Sequence, residues 1–141
     1  DRYVPTHLVR LTGDCPLTDP EIVVDVIDLH LSSGAAYTSN VHPRSFPHGL
    51  DVEAATAEAL GTAVREASDP SDREHVMPFL VARPERFPAA NLDSGSDLGG
   101  LRWTVDTADD LEVVRGLLHE VGDPVRVGWR DLLDDLEGRA D

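Results

Sequence analysis

A chain of 141 residues with 40% apolar content is long enough to bury one core and too apolar to be disordered. Its net charge of −15, with arginine as the only basic side chain besides histidine, excludes nucleic acid and an anionic membrane surface as partners, because phosphate binding needs a positive patch. The single cysteine, Cys15, excludes an intramolecular disulfide, and with no window of membrane-span length and no apolar leader the expected location is cytoplasmic.

In chain order, "LVRLT" at 8–12 is short, apolar and β-favouring, and predicts a strand. Thr18 and Glu21 have capping-box spacing, and Pro20 follows Asp19 at a first-turn position, so a helix is expected next. Ile22, Val23, Val26, Ile27 and Leu31 repeat at helical spacing up to Ser32-Ser33-Gly34. "AAYTSN" predicts a second strand, and the Pro/His-rich "VHPRSFPHG" a loop. "LDVEAAT" predicts a third strand that runs into the helix "AEALGTAVREA". "DREHVMPFLVARPE" predicts a helix that Pro78 either kinks or starts. "RFPAANLD" and "LRWTV" predict strands on either side of a Ser/Gly/Asp loop.

"DTADDLEVVRGLLHEVG" is the clearest helix. Thr107 caps it, Asp109 and Asp110 favour its positive end, Leu111, Val114, Leu118 and Val121 form one face, and Gly122 stops it. "WRDLLDDLEGRAD" predicts a terminal helix. Strands alternating with helices of these lengths predict an α/β layer fold with a mostly parallel sheet. In such sheets ligands bind at the carboxyl ends of the strands, which directs attention to Gly13-Asp14, Ser39-Asn40 and Asp106-Thr107.

Asp14 ends "VRLTGD" and Asp106 ends "LRWTVD", each just ahead of a helix-start signal. Two close carboxylates ionise together only around a cation, and a few hard oxygen ligands with room for water and phosphate is how Mg²⁺ is held in nucleotide enzymes. Spacing alone equally allows each aspartate to be no more than a helix cap.

"RLTGDCPLTDPE", "YTSN", "FPHGLDVEAAT", "REHVMPF" and "LRWTVDTADDLEVV", in this order, resemble the cytidylyltransferase family, in particular the spore-coat polysaccharide biosynthesis type related to the CMP-acylneuraminate and CMP-Kdo synthetases. The resemblance runs from about Arg2 to Leu136 and implies a Rossmann-like nucleotide-sugar transferase fold. It implies transfer of CMP from CTP to a sugar acid or similar anionic acceptor, with release of pyrophosphate. It also implies that Asp14 and Asp106 hold Mg²⁺ and are the catalytic carboxylates. The family commonly works as a homodimer, for which the "REHVMPF" segment is a contact candidate.

The family pattern places further strands and a Gly/Arg/Lys-rich triphosphate segment ahead of "GDCPL", and nothing like them is present in this sequence. The chain is therefore expected to be the carboxyl-terminal part of a single cytidylyltransferase domain, lacking N-terminal strands and inactive alone. The alternative from another class is a non-catalytic binding or assembly module derived from that fold.

For the acceptor, Asn40 offers hydrogen bonds to a sugar or base edge, and Arg44 a forked pair with a carboxylate or phosphate. Asp51 and Glu53 alternate on the presumed strand and so share a face, suited to orienting hydroxyls. His75 is a candidate proton acceptor, and Arg102 stands ready to neutralise the acidic corner or meet substrate. The remaining histidines are too scattered for a zinc pattern.

Overall fold

The computed structural model describes residues 4–120 and 127–138. Four strands, β1 (His7–Arg10), β2 (Tyr37–Ser39), β3 (Glu53–Thr56) and β4 (Ala89–Asn91), form one sheet in the order β1-β3-β2-β4. Helices α1 (Pro20–Ser33), α2 (Ala57–Glu66), α3 (Pro70–His75), α4 (Met77–Val81), α5 (Ala108–Glu120) and α6 (Trp129–Gly138) cover it.

The α/β class is as the sequence predicts, but the sheet is mixed rather than mostly parallel. β3 runs antiparallel to both β1 and β2, and only β2 and β4 are parallel. The cause is the connection. A loop without a crossover helix returns from β2 to β3, whereas α2, α3 and α4 intervene before β4.

The two faces of the sheet carry separate cores. Ala54 and Ala55 are successive residues of β3 and therefore point to opposite sides. Ala54 joins Ile22, Val26, Phe46, Leu50, Val52, Trp103, Leu117 and Trp129, and Ala55 joins Tyr37, Ala59, Met77, Phe79 and Phe87.

The cap of α1 is Asp19, not Thr18. The Asp19 carboxylate accepts from Glu21 N at 2.7 Å, while the Thr18 hydroxyl turns back to donate to the Cys15 carbonyl. The other oxygen of Asp19 accepts from Trp129 N at 2.8 Å, so one buried side chain ties the starts of α1 and α6 together. His30 replaces Leu31 on the inward face of α1. It is buried and meets the Thr38 hydroxyl at 2.9 Å, whereas Leu31 is exposed.

The segment "DREHVMPFLVARPE" divides into two short helices. Pro78 has no N–H to give, so it sits in the first turn of α4, and the break falls at Val76 with φ at 63°. Thr107 caps α5 as expected, with the Asp110 carboxylate bonding back to Thr107 N at 2.9 Å. Val114 and Leu117 carry the buried face of α5; Val121 and Gly122 lie outside the described residues.

"LRWTV" is not a strand. Only Arg102 makes a bridge, to His48, and the consecutive residues Trp103 and Thr104 are both buried, which the alternation of a strand does not allow. Here the loop carrying Gly49 passes directly over the chain. A Cβ built on Gly49, whose φ is 115°, would stand 2.6 Å from the Trp103 carbonyl carbon, so only glycine lets the two segments meet. His48 N to Leu101 O and Trp103 N to His48 O, at 2.8 and 2.6 Å, close the contact.

Candidate active site

The two aspartates of the sequence motifs lie in turns rather than directly at strand ends. β1 stops at Arg10, and Asp14 follows in a turn closed by Cys15 N on the Thr12 carbonyl at 3.2 Å. Asp106 follows the buried Trp103-Thr104 segment. The main-chain N–H of Val105 donates to the Asp14 carbonyl at 2.8 Å, which joins the two turns side by side.

Each carboxylate has its own setting. The Thr12 hydroxyl beside Asp14 holds its carboxyl below the ordinary carboxylate range, against partial burial and the charge of Asp51. Asp106 is half exposed, and Oδ2 receives both the Thr104 hydroxyl, at 2.9 Å, and the Arg102 guanidinium. Arg102 also reaches Asp110, Nε to Oδ1 at 3.1 Å. Asp110 is held ionised first by Arg102 and then by the backbone N–H groups of Asp106 and Thr107. Arg102 therefore does neutralise this acidic corner, through two carboxylates at once.

Four of the other five expected residues converge on a cavity of about 270 Å³, which Thr12, the hydroxyl partner of Asp14, also lines. Its lining includes Arg44, Asp51, Glu53 and His75, together with Arg10 and Thr12. Arg44 forks onto Asp51 with two bonds of 2.6 and 2.7 Å, and Gly49 N adds a third to the same carboxylate at 3.3 Å. Burial alone would push the Asp51 carboxyl up; the hydrogen bonds and charge of Arg44 outweigh it and hold the group below its usual range.

Glu53 is buried, and both of its oxygens are taken. Arg10 bonds one at 2.5 Å and the Tyr37 hydroxyl the other at 2.6 Å. Burial, then the charge and hydrogen bond of Glu53, push the Tyr37 hydroxyl well above its ordinary value, so it stays protonated and donates. Glu53 lines the cavity and holds Arg10, its cross-strand partner in the β1–β3 register.

Asn40 is corrected. It is fully buried, gives Nδ2 to the Leu50 carbonyl at 2.7 Å and accepts from Val52 N at 2.9 Å. It pins the loop that carries Arg44 and Asp51 and does not face the cavity. Arg10 is the residue the sequence reading missed; an arginine inside the apolar "LVRLT" was the available signal, but its placement needs the antiparallel pairing with β3.

Carboxylate oxygens such as those of Asp14 and Asp106 are the donor type that a hard divalent ion takes. Both bonds accepted by the Asp106 carboxylate fall on one oxygen, and two carboxylates leave coordination positions for water and phosphate. Among the described residues no group of three or more potential metal-ligating side chains stands together.

No family model matches the chain. The uncharacterized protein MJ1063 of Methanocaldococcus jannaschii is 31% identical over 137 residues, covering 96% of this chain and 55% of that protein. The spore coat polysaccharide biosynthesis protein SpsF of Bacillus subtilis is 28% identical over 151 residues, covering 100% of this chain and 62% of that protein. Among solved structures, one from Leptospira borgpetersenii serovar Hardjo-bovis, described as that of a cytidylyltransferase, matches with a TM-score of 0.91 at 28% identity, over 96% of this chain and 57% of that one. The chain thus spans between 55% and 62% of the length of these relatives.

Proposed function

We propose, from the premise that the chain is a member of the cytidylyltransferase family in fold and in motifs, that it carries the acceptor side and the metal-binding carboxylates of a CMP-transferring enzyme. The reaction is attack by an acceptor oxygen on the α-phosphorus of CTP. A new P–O bond forms, the bond to the β-phosphate breaks, and pyrophosphate leaves.

The residues divide the work by place. Asp14 and Asp106 would hold a magnesium ion, which when bound neutralises charge on the triphosphate and the departing pyrophosphate. The cavity beside them receives the anionic acceptor. Arg44, fixed by its fork to Asp51, and Arg10, fixed by Glu53 and Tyr37, present guanidinium edges whose orientation is set before substrate arrives. His75 lines the cavity and would take the proton of an acceptor hydroxyl bound there.

One observation supports this reading: the Val105 N to Asp14 O bond, which joins the turns that carry the two motif aspartates. The test uses the full native protein, with pyrophosphate release followed for each nucleoside triphosphate with and without Mg²⁺. Release specific to CTP and lost in Asp14→Asn and Asp106→Asn is expected. Release that survives both substitutions would sink the assignment.

A further inference from the structure

Arg102 is bound to two carboxylates of unequal character. Asp110 is three-quarters or more buried at its side chain, 16% exposed, and is anchored by the N–H groups of Asp106 and Thr107 at 3.1 and 2.9 Å. Asp106 is 50% exposed and has the Thr104 hydroxyl on the same oxygen that Arg102 uses. One carboxylate is a fixed anchor. The other can be given up at small cost, because an exposed pair in water is worth little.

We propose that Arg102 is the resident counter-ion of Asp106 and competes with a divalent cation for that carboxylate, keeping its hold on Asp110 when Asp106 is surrendered. The proposal rests on the reading of Asp14 and Asp106 as metal ligands. Its physical basis is charge: a guanidinium and a divalent cation on one carboxylate repel, so the affinity measured for the metal includes the work of displacing Arg102. The remaining hold on Asp110 keeps the freed guanidinium close to the site, where a triphosphate brings negative charge. Arg102 is in this sense a positioning residue and not a catalytic one.

The experiment is Mn²⁺ binding to the full native protein without nucleotide, read by the electron paramagnetic resonance signal of free Mn²⁺. Arg102→Gln is expected to bind Mn²⁺ roughly threefold to fivefold more tightly than wild type, the scale of an exposed ion pair. Arg102→Lys, which keeps the charge, is expected to stay closer to wild type. A purely structural role for Arg102 would weaken metal binding in the glutamine variant, so the sign of the change separates the two. Unchanged or weaker affinity in Arg102→Gln, with Asp106→Asn still losing the ion, overturns the proposal and leaves the metal reading standing. Affinity that survives Asp106→Asn, or no binding in wild type and Arg102→Gln alike, removes the metal reading and this proposal with it.

Discussion

Arg44 and Asp51 lie seven residues apart in one loop, and their fork uses both terminal nitrogens of the guanidinium. A lysine at 44 keeps the charge and loses the fork, leaving the cavity without a fixed planar donor. Arg44→Lys is expected to raise the KM for acceptor about tenfold, the worth of one charged hydrogen bond, while the KM for CTP stays put. Steady-state kinetics with each substrate varied in turn checks this. His30 supports a second prediction. Burial first, and the neighbouring His7 second, hold the His30 imidazole below the ordinary histidine value of 6.5. Below that pH the unfolded chain binds a proton that the folded one refuses, so stability must fall as the solution is acidified from about 6.5. Urea denaturation at pH 7 and pH 5 should show a pH slope that is shallower in His30→Gln by at most about one proton. An equal slope in both proteins would count against it.

Among the elements, Asp19 ties two helices, because it caps α1 and also receives Trp129 N at the start of α6. Asp19→Ala removes both bonds and leaves a buried N–H without a partner. A loss of about 2 kcal/mol or more is expected, at or above the top of the range for one cap, measurable as a shift in the urea midpoint with the slope unchanged. The sequence made α1 legible, because its apolar spacing and Pro20 are local signals. It misassigned the cap, because Thr18 and Asp19 are both good caps and only the position of α6 selects between them. The reading of "LRWTV" failed for a related reason. Val105, Trp103 and Leu101 alternate as a strand would, yet Trp103 and Thr104 are both drawn into the core by the Gly49 crossing, which is a long-range contact. The order of motifs singled out Asp14 and Asp106 as candidates, while the main-chain bond that joins their turns is a long-range contact. The partners of Glu53 and Asn40 were not legible, since each depends on which strand or loop lies opposite.

For the whole molecule, β1 is an edge strand with apolar side chains exposed on both faces. Leu8 and Val9 are neighbours and so point to opposite sides, and both are exposed, as are Val4 and Leu11. Such an edge invites further strands or another copy. The purified 141-residue chain is expected to bind a hydrophobic dye and to self-associate, and Val9→Lys to reduce both, as read by fluorescence and by sedimentation. A compact monomer that leaves the dye dark would contradict this. The joint between the two aspartate turns behaves differently, because it consists of main-chain atoms alone. Every amino acid supplies the carbonyl at 14, and every one but proline supplies the N–H at 105. Placement and chemistry at this corner are therefore inherited separately. Either carboxylate can be exchanged without moving its neighbour, so asparagine at 14 or at 106 reports on lost charge and not on a rearranged backbone.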